Sequence, residues 1–508
     1  MNHANKIVEL EELANICETA RAEGKKIVQC HGVFDLLHPG HVRHFKAARA
    51  EGDVLIVTLT PDEFVNKGPG RPVFNHRLRA EWIAELESVD YVAVNRWPSA
   101  VETIRILRPA VFVKGNEFAS RGVDVTGNIS AEEQTVVEVG GRLHLTEEIT
   151  FSSSRLLNAY FSDLPAASDN FLSDFRRRYS ANKVLESINA LNDLKVAVVG
   201  DAIVDEYYFC RPMGLGSKSN AVNARYLSTE VQAGGALAVA NHVAGFVRDV
   251  HLVSCLGQTD SQEDAIRTRL KSNVSTKFFQ RANGPTTVKR RYVAPFQWQK
   301  LFEISFIEDS PLPSEEEARA AEYLAEILKD YDAVIVADFG HGFLGSQLIE
   351  SLSDHARYLT LNVQTNSANA GFNLATKYPR ADYLCLDEEE LRYACHDRFG
   401  EVGGLMTRIE RELKTDIVAV TQGQRGSIAR NAQGSLVQTP VFSQQVLDTI
   451  GAGDAYLALS SLCAAGKLPL ELLTFIGNCA GALLTRELGN RVAVEPVPLF
   501  RFITTLLK

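Results

Sequence analysis

The chain has 508 residues, more than one ordinary domain holds, so two or three domains are expected. A formal net charge of -10 argues against a general binder of nucleic acid or of an anionic membrane surface. No apolar run is long enough to span a bilayer, the N-terminus lacks a signal-peptide core, and the 8 cysteines show no C-x-x-C spacing. Free thiols in a reducing cytoplasm are the expectation, with no zinc site and no disulfide framework.

Val8 to Glu23 predicts a lead-in helix, with Leu10, Leu13, Ile16 and Cys17 on one face and Gly24 ending it. Lys26 to Cys30 is a strand-like apolar run. It leads through His31-Gly-Val-Phe-Asp-Leu-Leu-His-Pro-Gly-His41 into an amphipathic helix, Val42 to Arg49. His38 and His41 thus stand where a strand turns into a helix N-terminus. Pro39 suits the first turn, where its missing N–H is not needed. Gly32 and Gly40 allow backbone to approach a ligand closely. Free N–H groups and the positive dipole end make an anion site there, and imidazoles beside it donate to phosphate oxygens.

Asp53 to Thr60 is a continuous apolar run, as in a strand buried on both faces of a parallel sheet. Alternation of such runs with helices implies a doubly wound α/β domain. Asn66 to Val73 is a Gly/Pro-rich loop with two cations, Lys67 and Arg71, followed by a helix that carries Arg77. Val89 to Val94 and Val111 to Gly115 read as further strands. The latter places Lys114 and Gly115 at the C-terminal edge of the sheet, where such folds bind ligands. Ile149 to Arg155 sets Ser152, Ser153 and Ser154 at a helix start.

Gly32-Val33-Phe34-Asp35 followed by His38-x-Gly-His41 resembles the cytidylyltransferase-like nucleotidyltransferases. The resemblance implies that His38 and His41 bind the triphosphate and stabilise charge as the α-phosphorus is attacked, without a covalent enzyme intermediate. It also implies a phosphate-facing Lys67, a phosphate contact for Arg77, and nucleotide contacts for Gly32 to Asp35, Lys114, Gly115 and the three serines. Phe161 to Leu194 interrupts the pattern and reads as a linker helix, with Phe175, Tyr179, Val184, Ile188 and Leu191 at helical spacing.

Lys195 to Asp201 forms another buried strand ending in Gly-Asp. Far downstream, Asp448-Thr-Ile-Gly451-Ala452-Gly453-Asp454-Ala455 opens an apolar helix, again an anion hole of backbone N–H groups. A carboxylate at Asp454 is placed to take the proton of a hydroxyl attacking a γ-phosphate. The string resembles the ribokinase-like sugar kinases, in which the matching aspartate is the catalytic base. That resemblance implies sugar contacts at Asp201, Gly234, Gly235 and Asn241, and cations at Lys289 and Arg291 facing a substrate phosphate. It further implies nucleotide contacts at Thr421, Gly423, Gly426 and Gly451 to Gly453, and Mg²⁺ handling at Asp387 and Glu390. The family's Asp-Pro-Lys is replaced by an asparagine-rich loop, with Asn362, Asn366, Asn369 and Asn373.

The resulting expectation is an α/β protein of two doubly wound domains: a nucleotidyltransferase domain at 1–160, a linker helix at 161–194 and a ribokinase-like domain at 195–508. The combination resembles the bifunctional heptose-phosphate kinase/adenylyltransferases, with the order of the halves reversed. It implies a sugar or sugar-phosphate kinase coupled to nucleotidyl transfer from ATP or CTP, with Mg²⁺, no nucleic-acid or membrane partner, and a homodimer formed through a lid sheet near Val222 to Thr229. A second reading makes the C-terminal half an inactive sugar-binding and dimerising module. An aminoacyl-tRNA synthetase shares the His-x-Gly-His signature, but no Lys-Met-Ser-Lys-Ser-type loop is present.

Overall fold

The computed structural model describes residues 6–65, 67, 71–115, 128–146, 164–216, 218, 221–282, 284–296, 298–443 and 446–508. The chain divides into two compact units: Met1–Asp163 with Ser180–Asn182 and Val497–Lys508, and Leu164–Tyr179 with Lys183–Pro496.

Unit one holds five strands: β1 (Ile27–Gly32), β2 (Val54–Leu59), β3 (Tyr91–Val94), β4 (Val111–Gly115) and β5 (Arg142–Thr146). They lie in the order β3-β2-β1-β4-β5, and every pairing is parallel. Successive residues point to opposite faces of a sheet, and here both faces are apolar. Val28, Cys30, Leu55, Val57, Val111 and Val113 pack with Phe45, Ala80 and Ile83 on one side. Their neighbours Ile27 and Ile56 pack with Leu10, Leu13 and Cys17 on the other. The lead-in helix Leu10–Ala22 and the helices Pro39–Arg49 and His76–Ala84 therefore cover two faces, as a doubly wound sheet requires.

Unit two is built from β6 (Val196–Gly200), β7 (Ala202–Leu215), β8 (Val222–Gly235), β9 (Val250–Gly257), β10 (Val274–Arg281), β11 (Thr287–Ala294) and β12 (Gln299–Phe306). It continues with β13 (Ala333–Asp338), β14 (Leu359–Val363), β15 (Tyr383–Asp387), β16 (Ile417–Thr421), β17 (Ser427–Asn431) and β18 (Leu436–Thr439). A nine-stranded sheet runs β10-β9-β6-β13-β14-β15-β16-β17-β18, and a four-stranded sheet runs β12-β11-β7-β8. The chain passes from the larger sheet to the smaller one between Gly200 and Ala202.

The stretch expected as one linker helix contains two, Ala166–Arg178 and Ala181–Asn189, parted by an extended Tyr179. The first belongs to unit two. Ser168 Oγ donates to the Val441 carbonyl at 2.8 Å, and the rings of Phe175 and Phe475 stack with centroids 4.3 Å apart. The last helix, Pro496–Leu506, falls almost wholly in unit one rather than in the domain expected for it. Among the described residues no helix is long and apolar enough to cross a membrane.

Candidate active sites

The first site stands at the switch point of the unit-one sheet. β1 pairs with β2 on one side and β4 on the other, so the connections diverge above its C-terminal end. The residues from Gly32 onward emerge there. Phe34 adopts a left-handed backbone (φ 48°), and its ring lies edge-on to His41 with centroids 5.3 Å apart. A Cβ on Gly32 would meet the Phe34 ring at 3.1 Å, so this glycine serves the packing of Phe34.

His38 is the N-cap of helix Pro39–Arg49, and its Nδ1 accepts the Gly40 N–H at 3.1 Å. With Nδ1 accepting, the proton of the neutral ring sits on Nε2. The His38 and His41 rings stack with centroids 3.9 Å apart. Burial, and after it the charge of His38, lowers the His41 pKa to about 3, and Lys67 adds to the effect. The structure therefore brings His38, His41 and Lys67 together. Neutral imidazoles at a helix N-terminus offer N–H donors to phosphate oxygens, while the helix end supplies positive potential.

Several other residues expected at this site are engaged within the protein. The Asp35 carboxylate is spent within the protein: Oδ1 accepts from Val73 N–H at 2.7 Å and Oδ2 from Arg71 at 3.3 Å. Arg77 is exposed on its helix. Arg79, two residues on, is fully buried and is the cation that sequence reasoning missed. Its guanidinium donates to the carbonyls of Val33, Phe74 and Thr60 and to Asp62 Oδ1. It thereby ties the loop after β1 to the end of β2. Lys114, expected to border the nucleotide, is buried with its Nζ 2.8 Å from Glu132 Oε2. Burial opposes ionisation of Glu132, but the charges of Lys114 and His31 together with hydrogen bonds from Lys114 and the Ala100 N–H hold that carboxyl below its usual range. Gly115 ends β4, half-buried. Ser152, Ser153 and Ser154 lie outside the described residues.

The second site is a cavity of about 930 Å³ in unit two. Asp454 lines it from the first turn of helix Ala452–Ala465. Gly451 precedes that helix with φ 85°, a left-handed conformation that favours glycine, and it lines the cavity itself. Ala452 and Gly453 line it as well. Burial, and then the charge of Asp205, raises the Asp454 pKa to about 7; Asn490, Gln364 and Lys289 act in the opposite sense. A carboxylate titrating near neutrality suits a general base.

Of the two aspartates that follow β6, Asp205 lines the cavity and Asp201 does not. Asp201 Oδ2 accepts the N–H groups of Phe339 at 2.8 Å and His341 at 3.2 Å, so this carboxylate organises a turn instead of meeting a sugar. Asp205 lines the cavity, and Arg291 Nη1 donates to its Oδ1 at 2.5 Å. Gly234 lies directly against Asp205 Oδ2, where a Cβ would collide with it. Gly235, Lys289 and Arg291 also line the cavity. Burial lowers the Lys289 pKa, and its Nζ stands 5.9 Å above the Phe339 ring. Asn241 does not reach this cavity. Its amide donates to the Arg269 carbonyl at 2.9 Å, and its Oδ1 accepts from Lys271 N–H at 3.0 Å.

Thr421, Gly423 and Gly426 also line the cavity. Asp387 and Glu390 line it too, but they do not form a direct metal-ligand pair. They make a capping box, in which Asp387 Oδ1 accepts the Glu390 N–H, Glu390 Oε2 the Asp387 N–H and Glu390 Oε1 the Thr365 N–H. Burial, and then the Asp387 charge, raises Glu390 to about 8. Among the described residues no group of three or more His, Cys, Asp or Glu could hold a metal ion. The asparagine-rich loop also has an internal role. Asn366 and Asn369 both donate to the Phe339 carbonyl, and Asn373 donates to Asp338.

Comparison with known proteins agrees with both units. A family model described as cytidylyltransferase-like matches residues 30–159, and one described as pfkB family carbohydrate kinase matches residues 193–496. The bifunctional protein HldE of Geobacter metallireducens is 40% identical over 142 residues, which are 27% of this chain and 29% of that protein. HldE of Aliarcobacter butzleri is 40% identical over 139 residues, with the same shares of 27% and 29%. The chain thus spans less than a third of the length of these relatives. Phosphofructokinase-2 from Escherichia coli, in a structure with potassium, superposes with TM-score 0.52 at 15% identity, over 62% of this chain and 100% of that one, which shows a shared fold. Since the kinase model takes in more than half of the residues, the chain belongs to the pfkB family of carbohydrate kinases.

Proposed function

We propose that the chain is a bifunctional enzyme of nucleotide-sugar synthesis, with a heptose-like sugar as the acceptor. Unit two phosphorylates a sugar or sugar phosphate with ATP, and unit one joins a sugar phosphate to the nucleotidyl group of ATP or CTP. The observation that carries this reading is the presence of two separately built anion cradles: one headed by the stacked His38 and His41, the other by Asp454 behind Gly451.

In unit one a phosphate oxygen of the acceptor attacks the α-phosphorus and pyrophosphate leaves. His38, His41, Lys67 and the N-terminus of the following helix hold the triphosphate and offset the charge that develops. In unit two the Asp454 carboxylate takes the proton of an acceptor hydroxyl, whose oxygen bonds to the γ-phosphorus as ADP leaves. Asp205 accepts from sugar hydroxyls, and Lys289 and Arg291 face an acceptor phosphate. Magnesium bound with the nucleotide would supply positive charge to offset that of the phosphates, with Asp387 and Glu390 among the carboxylates that line the cavity. The eight free cysteines, seven of them buried, suit a reducing cytoplasm. A homodimer would cover Met213, Leu215, Val222 and Tyr226, which the four-stranded sheet leaves exposed.

The test supplies ATP and CTP with a panel of sugars and sugar phosphates and reads ADP and pyrophosphate separately. Asp454→Asn is expected to abolish ADP formation alone, and His41→Ala pyrophosphate release alone. Equal ADP formation by wild type and Asp454→Asn across the panel overturns the kinase assignment.

A further inference from the structure

We infer that the segment Leu164 to Arg178, which lies in neither family region, forms part of the nucleoside-binding wall of the kinase cavity. The cytidylyltransferase-like match ends at 159 and the kinase match begins at 193. Yet Pro165 lines the same cavity as Asp454.

The segment is fixed to that wall at three points. Ser168 Oγ donates to the Val441 carbonyl at 2.8 Å, the Phe171 ring lies 6.0 Å from Phe442, and Phe175 stacks on Phe475. Val441 and Phe442 are themselves cavity-lining residues. Asn478 secures the strand end just before them by donating to the carbonyls of Thr439 and Pro440 at 2.9 and 3.0 Å.

The chemistry of this end selects its occupant. The phosphates belong at the N-terminus of helix Ala452–Ala465, and the acceptor belongs between Asp454 and the cations Lys289 and Arg291. The lining further includes Pro165, Val441, Phe442, Val446 and Ala482, with Ser443, Asn478 and Thr485 as polar groups. Flat apolar walls with a few polar groups fit a heteroaromatic base. Pro165 precedes helix Ala166–Arg178 with φ -57° and ψ 146°, so its ring position is set by the helix behind it. Nucleotide binding in unit two is therefore expected to add protection to this segment, which is already packed against the cavity wall. This rests on the kinase reading of unit two.

The test is hydrogen exchange read by mass spectrometry on the full chain, titrated with magnesium and adenylyl imidodiphosphate, a non-hydrolysable ATP analogue. Peptides covering 449–456 and 164–178 are expected to gain protection together, with the same midpoint. Pro165→Gly combined with Ser168→Ala is expected to raise that midpoint about tenfold, the usual scale for losing one apolar wall of a pocket. Protection of 449–456 with none at 164–178, or an unchanged midpoint in the variant, overturns the inference and leaves the kinase reading standing. No protection at either segment overturns both.

Discussion

Gln364 donates from Nε2 to Oδ1 of Asp454 across 3.3 Å. The donor stabilises the charged form of a carboxyl that burial and the Asp205 charge push up to about 7. Phosphoryl transfer that needs Asp454 as a carboxylate therefore rises with pH through about 7. Gln364→Leu removes the donor, raises this pKa further and moves the acid limb of the kcat/KM profile to higher pH. An unmoved limb would show that Asp454 is not the titrating base.

His38 does two jobs, which two substitutions separate. Asn keeps a side-chain acceptor at the N-cap, so His38→Asn retains thermal stability while pyrophosphate release falls about 100-fold or more through loss of the Nε2 donor. His38→Ala loses the same rate and in addition about 1 kcal/mol of stability. Melting temperatures beside initial rates read both effects.

Arg79 and Arg77 differ by two positions and are expected to differ sharply in energy. Arg79→Met strands the Val33, Phe74 and Thr60 carbonyls and leaves Asp62 without its main partner, at a cost of about 3–5 kcal/mol. Arg77→Ala, on an exposed position, stays within about 0.5 kcal/mol of wild type. Urea unfolding midpoints decide the point.

Asp205 and Asp201 are separable by kinetics. Asp205→Asn weakens a charged contact with the acceptor and raises its KM about 10- to 100-fold. Asp201→Asn loosens the Phe339–His341 turn, so it lowers the melting temperature more than it alters the acceptor KM. A larger KM effect at Asp201 would return the sugar contact to that residue.

Much of the site was legible before any coordinates, because its signals are local. A strand followed by His38-Pro39-Gly40-His41, or by Gly451-Ala452-Gly453-Asp454, places its groups at a helix N-terminus whatever surrounds it. Lys67 was expected only through the resemblance, because a Gly/Pro-rich loop with two cations carries no local signal of its own; in the structure its charge acts on His41. Arg79 left one signal that was not used. On a helix it shares a face with Ile83, four residues on and fully buried, whereas Arg77 lies about 200° away from it.

By itself, then, the amino-acid order determined the two α/β halves and the strand-to-helix turns that carry His38, His41 and Asp454. Tertiary structure alone decided which neighbouring polar side chains line the cavity. The chain changes sheets between Gly200 and Ala202, so no periodicity tells that Asp201 turns to backbone N–H groups while Asp205 meets the cavity. Glu390 Oε1 and Asn241 Oδ1 likewise accept backbone N–H groups of Thr365 and Lys271, distant donors that only folding supplies. A buried polar group must find a partner, and sequence does not state which partner comes within reach.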